Sequence, residues 1–205
     1  MSLHTKNRNA SAFTLIELLV VISIIAILAS LALPALDNAR TQAQGVQIVS
    51  NARQVYIAMQ AASSDAAQSG LGGIGFPADA GPQTTPTAYF QNVLIANDYL
   101  KAGDLRVLSA PGYPAVVGTN TLTAANNAFN LGNTGSIDAG TAVLIYTKNW
   151  SWGQDPKETK QPFGNKGAVI LHKGGDGAFW KANVAKKTDG TIGTQPAGTP
   201  AWITE

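Results

Sequence analysis

The most constraining feature of this chain is one uninterrupted apolar run near its start, Phe13-Thr-Leu-Ile-Glu-Leu-Leu-Val-Val-Ile-Ser-Ile-Ile-Ala-Ile-Leu-Ala-Ser-Leu-Ala-Leu-Pro-Ala-Leu36, which holds a single charge, Glu17. At 1.5 Å rise per residue, about 24 helical residues span roughly 36 Å, enough to cross a hydrocarbon core of about 30 Å. Residues 1–12 ahead of it are short and polar and carry Lys6 and Arg8 but no acid. Basic flanks stay on the cytoplasmic side, so everything after the run is expected outside the cytoplasm.

Three readings of this segment compete. A secretory signal peptide has an apolar region of about 7–15 residues followed by a small-residue cleavage site. Here the run is longer, and the A-x-A sequence, Ala10-Ser11-Ala12, precedes it. A plain single-pass anchor explains length and orientation but leaves Glu17 unexplained. Insertion of an acid at mid-membrane costs about 2.5–3.5 kcal/mol. Glu17 lies near the cytoplasmic end, where the cost is smaller, yet a carboxylate there calls for a partner. The third reading rests on a family resemblance carried by the residues around Phe13, and that resemblance implies a positively charged partner for Glu17. A matched pair is far cheaper in a low-dielectric setting than either charge alone.

Residues Ala12-Phe13-Thr14-Leu15-Ile16-Glu17-Leu18-Leu19-Val20 resemble the prepilin processing motif of type IV pilins and type II secretion pseudopilins. The resemblance implies that a prepilin peptidase cuts between Ala12 and Phe13 and methylates the new amino terminus. Ala12 stands where the family carries Gly. Glu17 becomes the fifth mature residue and meets the amino terminus of a neighbouring subunit, which sets the stagger of a helical filament. The family also implies the partners: further copies of the same chain, other (minor) pilins, an inner-membrane assembly platform with its ATPase, and the membrane itself before assembly. The protein would be a single-pass inner-membrane protein first and a periplasmic or extracellular filament afterwards.

Pro34 sits at the far end of the apolar run, and a proline inside a helix removes a hydrogen bond and crowds the preceding turn. One reading ends the helix there. The pattern argues for continuation, since Ile48, Ala52, Val55 and Met59 recur at helical spacing with Val49 and Tyr56 beside them. We therefore expect one kinked helix, its apolar half over 13–36 and an amphipathic half over 37–68. The resemblance adds that Pro34 marks a stretch able to unwind in the assembled fibre.

The remainder, 69–205, is expected to be a globular head. The expected sequence order is a short helix over Thr87–Lys101, mostly loop through 110–140, and strands at Thr141–Lys148, Gly167–His172 and Ala178–Val184. The glycine-rich Lys173-Gly-Gly-Asp-Gly177 suits a hairpin between the last two. Together with the resemblance this gives an α+β class, a long N-terminal helix on a C-terminal antiparallel sheet.

Composition narrows the function. The chain has 14 basic and 12 acidic residues; with Lys6 and Arg8 set aside, bases and acids balance, so there is no strong nucleic-acid signal. Cysteine is absent, which removes disulfides, thiolate nucleophiles and cysteine-based zinc sites, including the C-terminal disulfide loop common in adhesive pilins. Gly70-Leu71-Gly72-Gly73-Ile74-Gly75 satisfies G-x-G-x-x-G, but it follows a helix and leads into Phe76-Pro77, the wrong context for a dinucleotide site. The two histidines, His4 and His172, cannot be joined to a nucleophile and an orienting group from sequence, so no catalytic residue and no enzymatic activity are expected. No cofactor is expected either. Asn130, Asn133, Asp138 and Asp176 offer oxygen donors for calcium, but without EF-hand spacing turn duty is the simpler reading. Trp150, Trp152, Trp180 and Trp202 are expected in the core or on strands, with a subunit contact as the alternative for Trp150 and Trp152. The competing functional class is a membrane-anchored binding module that does not polymerise.

Overall fold

The computed structural model describes residues 13–70, 72–116, 121–197 and 201–204. The expected leader, 1–12, including Ala12 of the cleavage pair, lies outside the described residues, as does Leu71 of the glycine-rich segment. The chain divides into two units, one ending at Arg40 and one beginning at Thr41.

One helix, α1, runs from Leu15 to Ser69 and passes through Pro34. The missing proline N–H leaves the Ser30 carbonyl without its i+4 donor, while the Ser30 hydroxyl donates back to the Ile27 carbonyl (2.8 Å). In the first unit every described helical residue is exposed, so the large apolar side chains from Leu15 to Leu36 find no cover among the described residues. In the second unit the helix turns one face inward. Ile48, Val49, Ala52, Val55, Ala58, Met59 and Ala62 are buried at the i, i+3, i+4 spacing of an amphipathic helix. The helix stops at Gly70, whose positive φ of 67° is the left-handed C′ conformation that glycine adopts without penalty.

Five antiparallel strands, β1 (Phe129–Gly132), β2 (Val143–Thr147), β3 (Gly167–His172), β4 (Gly177–Lys181) and β5 (Trp202–Ile203), form one sheet in the order β4-β3-β2-β1-β5. The first four make a meander, and the chain end returns to pair β5 with β1. Side chains alternate between two cores. Val169 and Leu171 of β3 face the cluster built on α1, whereas Ala168 and Ile170 face a second cluster on the opposite side. On β2 a register shift between Val143 and Ile145 breaks the alternation, so that Leu144 and Ile145 both join the α1 side. Gly45 lets α1 approach β4 closely: a Cβ there would fall 2.6 Å from Cγ of Phe179.

The strand expectations are met at Gly167–His172 and closely at β2 and β4, and the 173–177 link closes the expected hairpin, with Gly175 at φ 85°. Other expectations are corrected. The helix expected over Thr87–Lys101 is a single α turn, α2 (Pro86–Tyr89), continuing as a π-helical stretch, Phe90–Ile95. Thr85 caps its start by accepting from the Ala88 N–H (3.1 Å). It ends early because Asn97 donates its amide to the Val93 carbonyl and Asp98 takes a left-handed φ of 60°. A 3-10 segment, Ala102–Leu108, follows. The stretch read as loop contains β1, and the C-terminal tail contains β5; residues 182–184, read as strand, belong to a short helix, α3 (Ala182–Ala185).

Candidate processing and assembly site

The start of α1 is a reciprocal cap. Thr14 occupies the N-cap, Leu15 the first helical position and Glu17 the third. The Glu17 N–H donates to the Thr14 hydroxyl oxygen (3.3 Å), and the Glu17 carboxylate accepts from both the Thr14 backbone N–H and the Thr14 hydroxyl (2.8 Å each). This is a capping box, in which two otherwise orphaned helix-end donors are satisfied by side chains. Its signature, Thr-x-x-Glu directly before an apolar run, is readable at 14–17, yet Thr14 is the site residue that the motif-based reading passed over. The same geometry draws the carboxylate back onto Thr14, the residue next to Phe13 in the chain.

Phe13 is 76% exposed, Glu17 is exposed, and α1 from Leu15 is long and apolar enough to cross a membrane. Pro34 lies about five turns along the same helix, away from the capping box, so the structure joins Phe13, Thr14 and Glu17 in one local group and leaves Pro34 separate.

Two of the four oxygen donors considered for calcium, Asp138 and Asp176, have their carboxylates engaged within the chain. Asn130 is buried in β1. Asn133 donates its backbone N–H to the Ala201 carbonyl. Asp138 accepts from the N–H groups of Gly135 (2.8 Å) and Ala197 (3.3 Å). Asp176 contacts Nδ1 of His172 (2.6 Å). The same loop already holds a cation of its own: the Lys173 ammonium donates to the carbonyls of Ser136 (2.5 Å) and Asp138 (2.6 Å) and sits 5.8 Å from the centre of the Phe76 ring. Among the described residues no group of three or more His, Asp or Glu side chains converges as a metal site.

His172 is buried at the end of β3, its ring held between Asp176 and the Ile192 carbonyl (2.8 Å). That ties the β3–β4 hairpin to the tail and leaves the ring in a structural position. Trp150 is fully buried and donates Nε1–H to the Ala185 carbonyl (2.7 Å). Trp152 stacks on Trp202 at 5.5 Å between ring centres, and both pack with Trp150 and Tyr146 on the sheet face away from α1. Trp180 packs against the same second core from β4.

Comparison with known families matches residues 7–33 to the prokaryotic N-terminal methylation motif, the signal motif of type IV pilins and pseudopilins. The match spans the expected cleavage pair, the capping box and most of the apolar run. Comparison with curated proteins and with solved structures found no match.

Proposed function

Starting from the methylation motif at residues 7–33, we propose that this chain is a structural subunit of a filament of the type IV pilus or type II secretion pseudopilus kind. Prepilin peptidase cuts between Ala12 and Phe13 and methylates the new amino group. The helix over 13–36 holds the subunit in the inner membrane, with the head outside the cytoplasm, until the subunit is drawn into the polymer. The carrying observation is the acid at Glu17 inside an otherwise uncharged helix start.

Before assembly, the capping box gives the carboxylate hydrogen-bond donors at the membrane surface, which lowers the cost of keeping it charged. During assembly, the ammonium at Phe13 of a neighbour supplies a full countercharge. Glu17 therefore exchanges a local role for an intermolecular one, and the exchange selects subunits placed at the correct stagger. Pro34 supplies a point at which the helix can open when the fibre is loaded.

The test is assembly of a Glu17→Gln chain in cells whose wild-type chain appears in sheared surface filaments or with a secretion apparatus. The variant should still be cut and should stay in the membrane fraction, with at least a tenfold loss from the filament fraction. A wild-type chain that never leaves the membrane would favour a non-polymerising anchored module. A Glu17→Gln chain that assembles like wild type would remove the ion pair from the account.

A further inference from the structure

The buried ring of His172 sits between two acceptors. Its Nδ1 lies 2.6 Å from Oδ2 of Asp176, and its Nε2 lies 2.8 Å from the Ile192 carbonyl oxygen. A backbone carbonyl never donates, and the Asp176 side chain, 73% exposed, is kept as a carboxylate by water. A neutral imidazole carries one N–H. In either tautomer, one ring nitrogen would therefore turn a lone pair on an oxygen at hydrogen-bond distance. The imidazolium ion, donating from both nitrogens, satisfies the two contacts together.

The two acceptors belong to different parts of the fold. Asp176 lies in the turn of the β3–β4 hairpin, whereas Ile192 lies in the tail that leads on to β5. Gly193, at φ 108°, lets the tail lie against the ring, since a Cβ there would fall 2.6 Å from both Cδ2 and Nε2 of His172. Next to it, the Thr194 N–H donates to the Thr141 carbonyl (2.8 Å) and the Val143 N–H donates to the Thr194 carbonyl (3.0 Å). Ile192 itself is fully buried in the second core. Thus His172 is a side-chain bolt on a tail that backbone bonds hold beside β2.

Among the charged and titratable groups on the surrounding elements, Asp176 is the one in ion-pair reach of the ring. The Lys173 ammonium is turned to the Ser136 and Asp138 carbonyls, and the Asp138 carboxylate to the N–H groups of Gly135 and Ala197. On the tail side, Lys186 pairs with Asp155, and Asp189, beside Lys187, accepts from the Thr191 N–H. Lys181 of β4 lies opposite Gly167 at the far end of β3, and Arg53 of α1 is held at the Gly177 carbonyl. Neighbouring β2 has no charged residue, and burial keeps its Tyr146 hydroxyl well above the ordinary tyrosine value.

We infer that His172 is held as an imidazolium ion and that, with Asp176, it forms a proton-dependent latch closing the tail over the sheet face away from α1. The inference is independent of the filament reading. The folded chain keeps a ring proton that the unfolded chain gives up more readily. The latch therefore stabilises the head on the acid side of the imidazole titration, and this contribution is lost as pH rises through it, within about pH 5–8. Above that range the latch adds nothing, and the tail is left to its backbone bonds.

Asp176→Asn separates a latch from a plain structural contact. An asparagine amide can donate to Nδ1, which lets a neutral ring keep its Nε2–H on the Ile192 carbonyl. The side chain is exposed, so the change spares the core. The full chain in detergent would be unfolded by heat at about pH 5.5 and about pH 8, on either side of the imidazole range. Over that step the wild-type midpoint should fall by at least about 3 °C more than that of Asp176→Asn. Amide exchange at Val143 and Thr194, corrected for its intrinsic pH dependence, should quicken at least about threefold in wild type and stay level in Asp176→Asn. His4→Gln leaves His172 as the lone histidine, and nitrogen-edited spectra of that chain at about pH 6 should show protons on both ring nitrogens. Equal pH responses of wild type and Asp176→Asn, or a ring with one protonated nitrogen at that pH, would overturn the latch.

Discussion

Gly45 provides a sensitive test of how α1 seats on the sheet. Glycine inside a helix is disfavoured by about 0.8–1 kcal/mol relative to alanine. A Gly45→Ala change judged on propensity alone would therefore stabilise the protein by that amount. The structure predicts the opposite. The new Cβ would lie 2.6 Å from Cγ, 2.8 Å from Cδ2 and 2.8 Å from Cβ of Phe179. The last of these sits next to the β4 backbone, so the clash cannot be relieved by moving the far end of a flexible chain. The ring is further held by Phe163, 4.8 Å away in an edge-to-face contact. Overpacking of this kind costs about 1–3 kcal/mol, which leaves a net loss of up to about 2 kcal/mol. For a chain of this size each kcal/mol moves the midpoint by about 2–4 °C. Thermal unfolding of the full chain in detergent should thus show Gly45→Ala melting below wild type. In a Phe179→Gly background, which removes Cβ, Cγ and Cδ2 together, the same change should raise the midpoint relative to Phe179→Gly alone, because only the propensity gain remains. A stabilising Gly45→Ala in the wild-type background would refute the close helix–strand seam.

Three further outcomes follow from the geometry. Burial pushes the hydroxyls of Tyr89 and Tyr146 well above the ordinary tyrosine value of 10.0. Both are neutral in folded and unfolded chains below that pH, so stability should hold up to about pH 10 and fall above it as only the unfolded chain ionises; Tyr89→Phe should flatten this alkaline limb while losing about 1 kcal/mol with the bond to the Gly75 carbonyl, read by unfolding across pH 8–12. Thr14→Val removes the cap at the start of α1 and should cost about 1 kcal/mol locally, seen as about fivefold faster amide exchange at residues 15–17 in micelles. Calcium should leave the melting midpoint of wild type unchanged, because the Lys173 ammonium already occupies the carbonyls of Ser136 and Asp138; a rise of several degrees would reveal a cation site that the lysine does not fill.

Much of the layout was legible because long periodic patterns leave little choice. Ile48, Ala52, Val55 and Met59 announced the buried face of α1, and the dense apolar β3 with its glycine-rich turn announced a hairpin. The strand β1 escaped because Phe129-Asn130-Leu131-Gly132 has poor strand formers at two of four positions; its pairing with β2 and β5, and the Asn127 side chain bonding the Phe129 backbone, hold it in place. The two-residue β5 is shorter than any sequence pattern and exists only through its register with Leu131 and Gly132. Helix α2 was drawn too long because Asn97 and Asp98 read as tolerable helix residues, whereas their short polar side chains favour the turn. At the candidate site, the processing motif made Phe13 and Glu17 conspicuous and drew attention from Thr14, whose hydrogen bonds position the carboxylate.

The account turns on the removal of residues 1–12, since only a cut before Phe13 creates the positive charge that Glu17 is placed to meet. Mass spectrometry of the N-terminal peptide from the protein in its own cells reads this directly. The expected peptide begins at Phe13 and carries one additional methyl group on its amino nitrogen. A peptide that still contains Lys6 and Arg8, or one that starts at another residue, would contradict it.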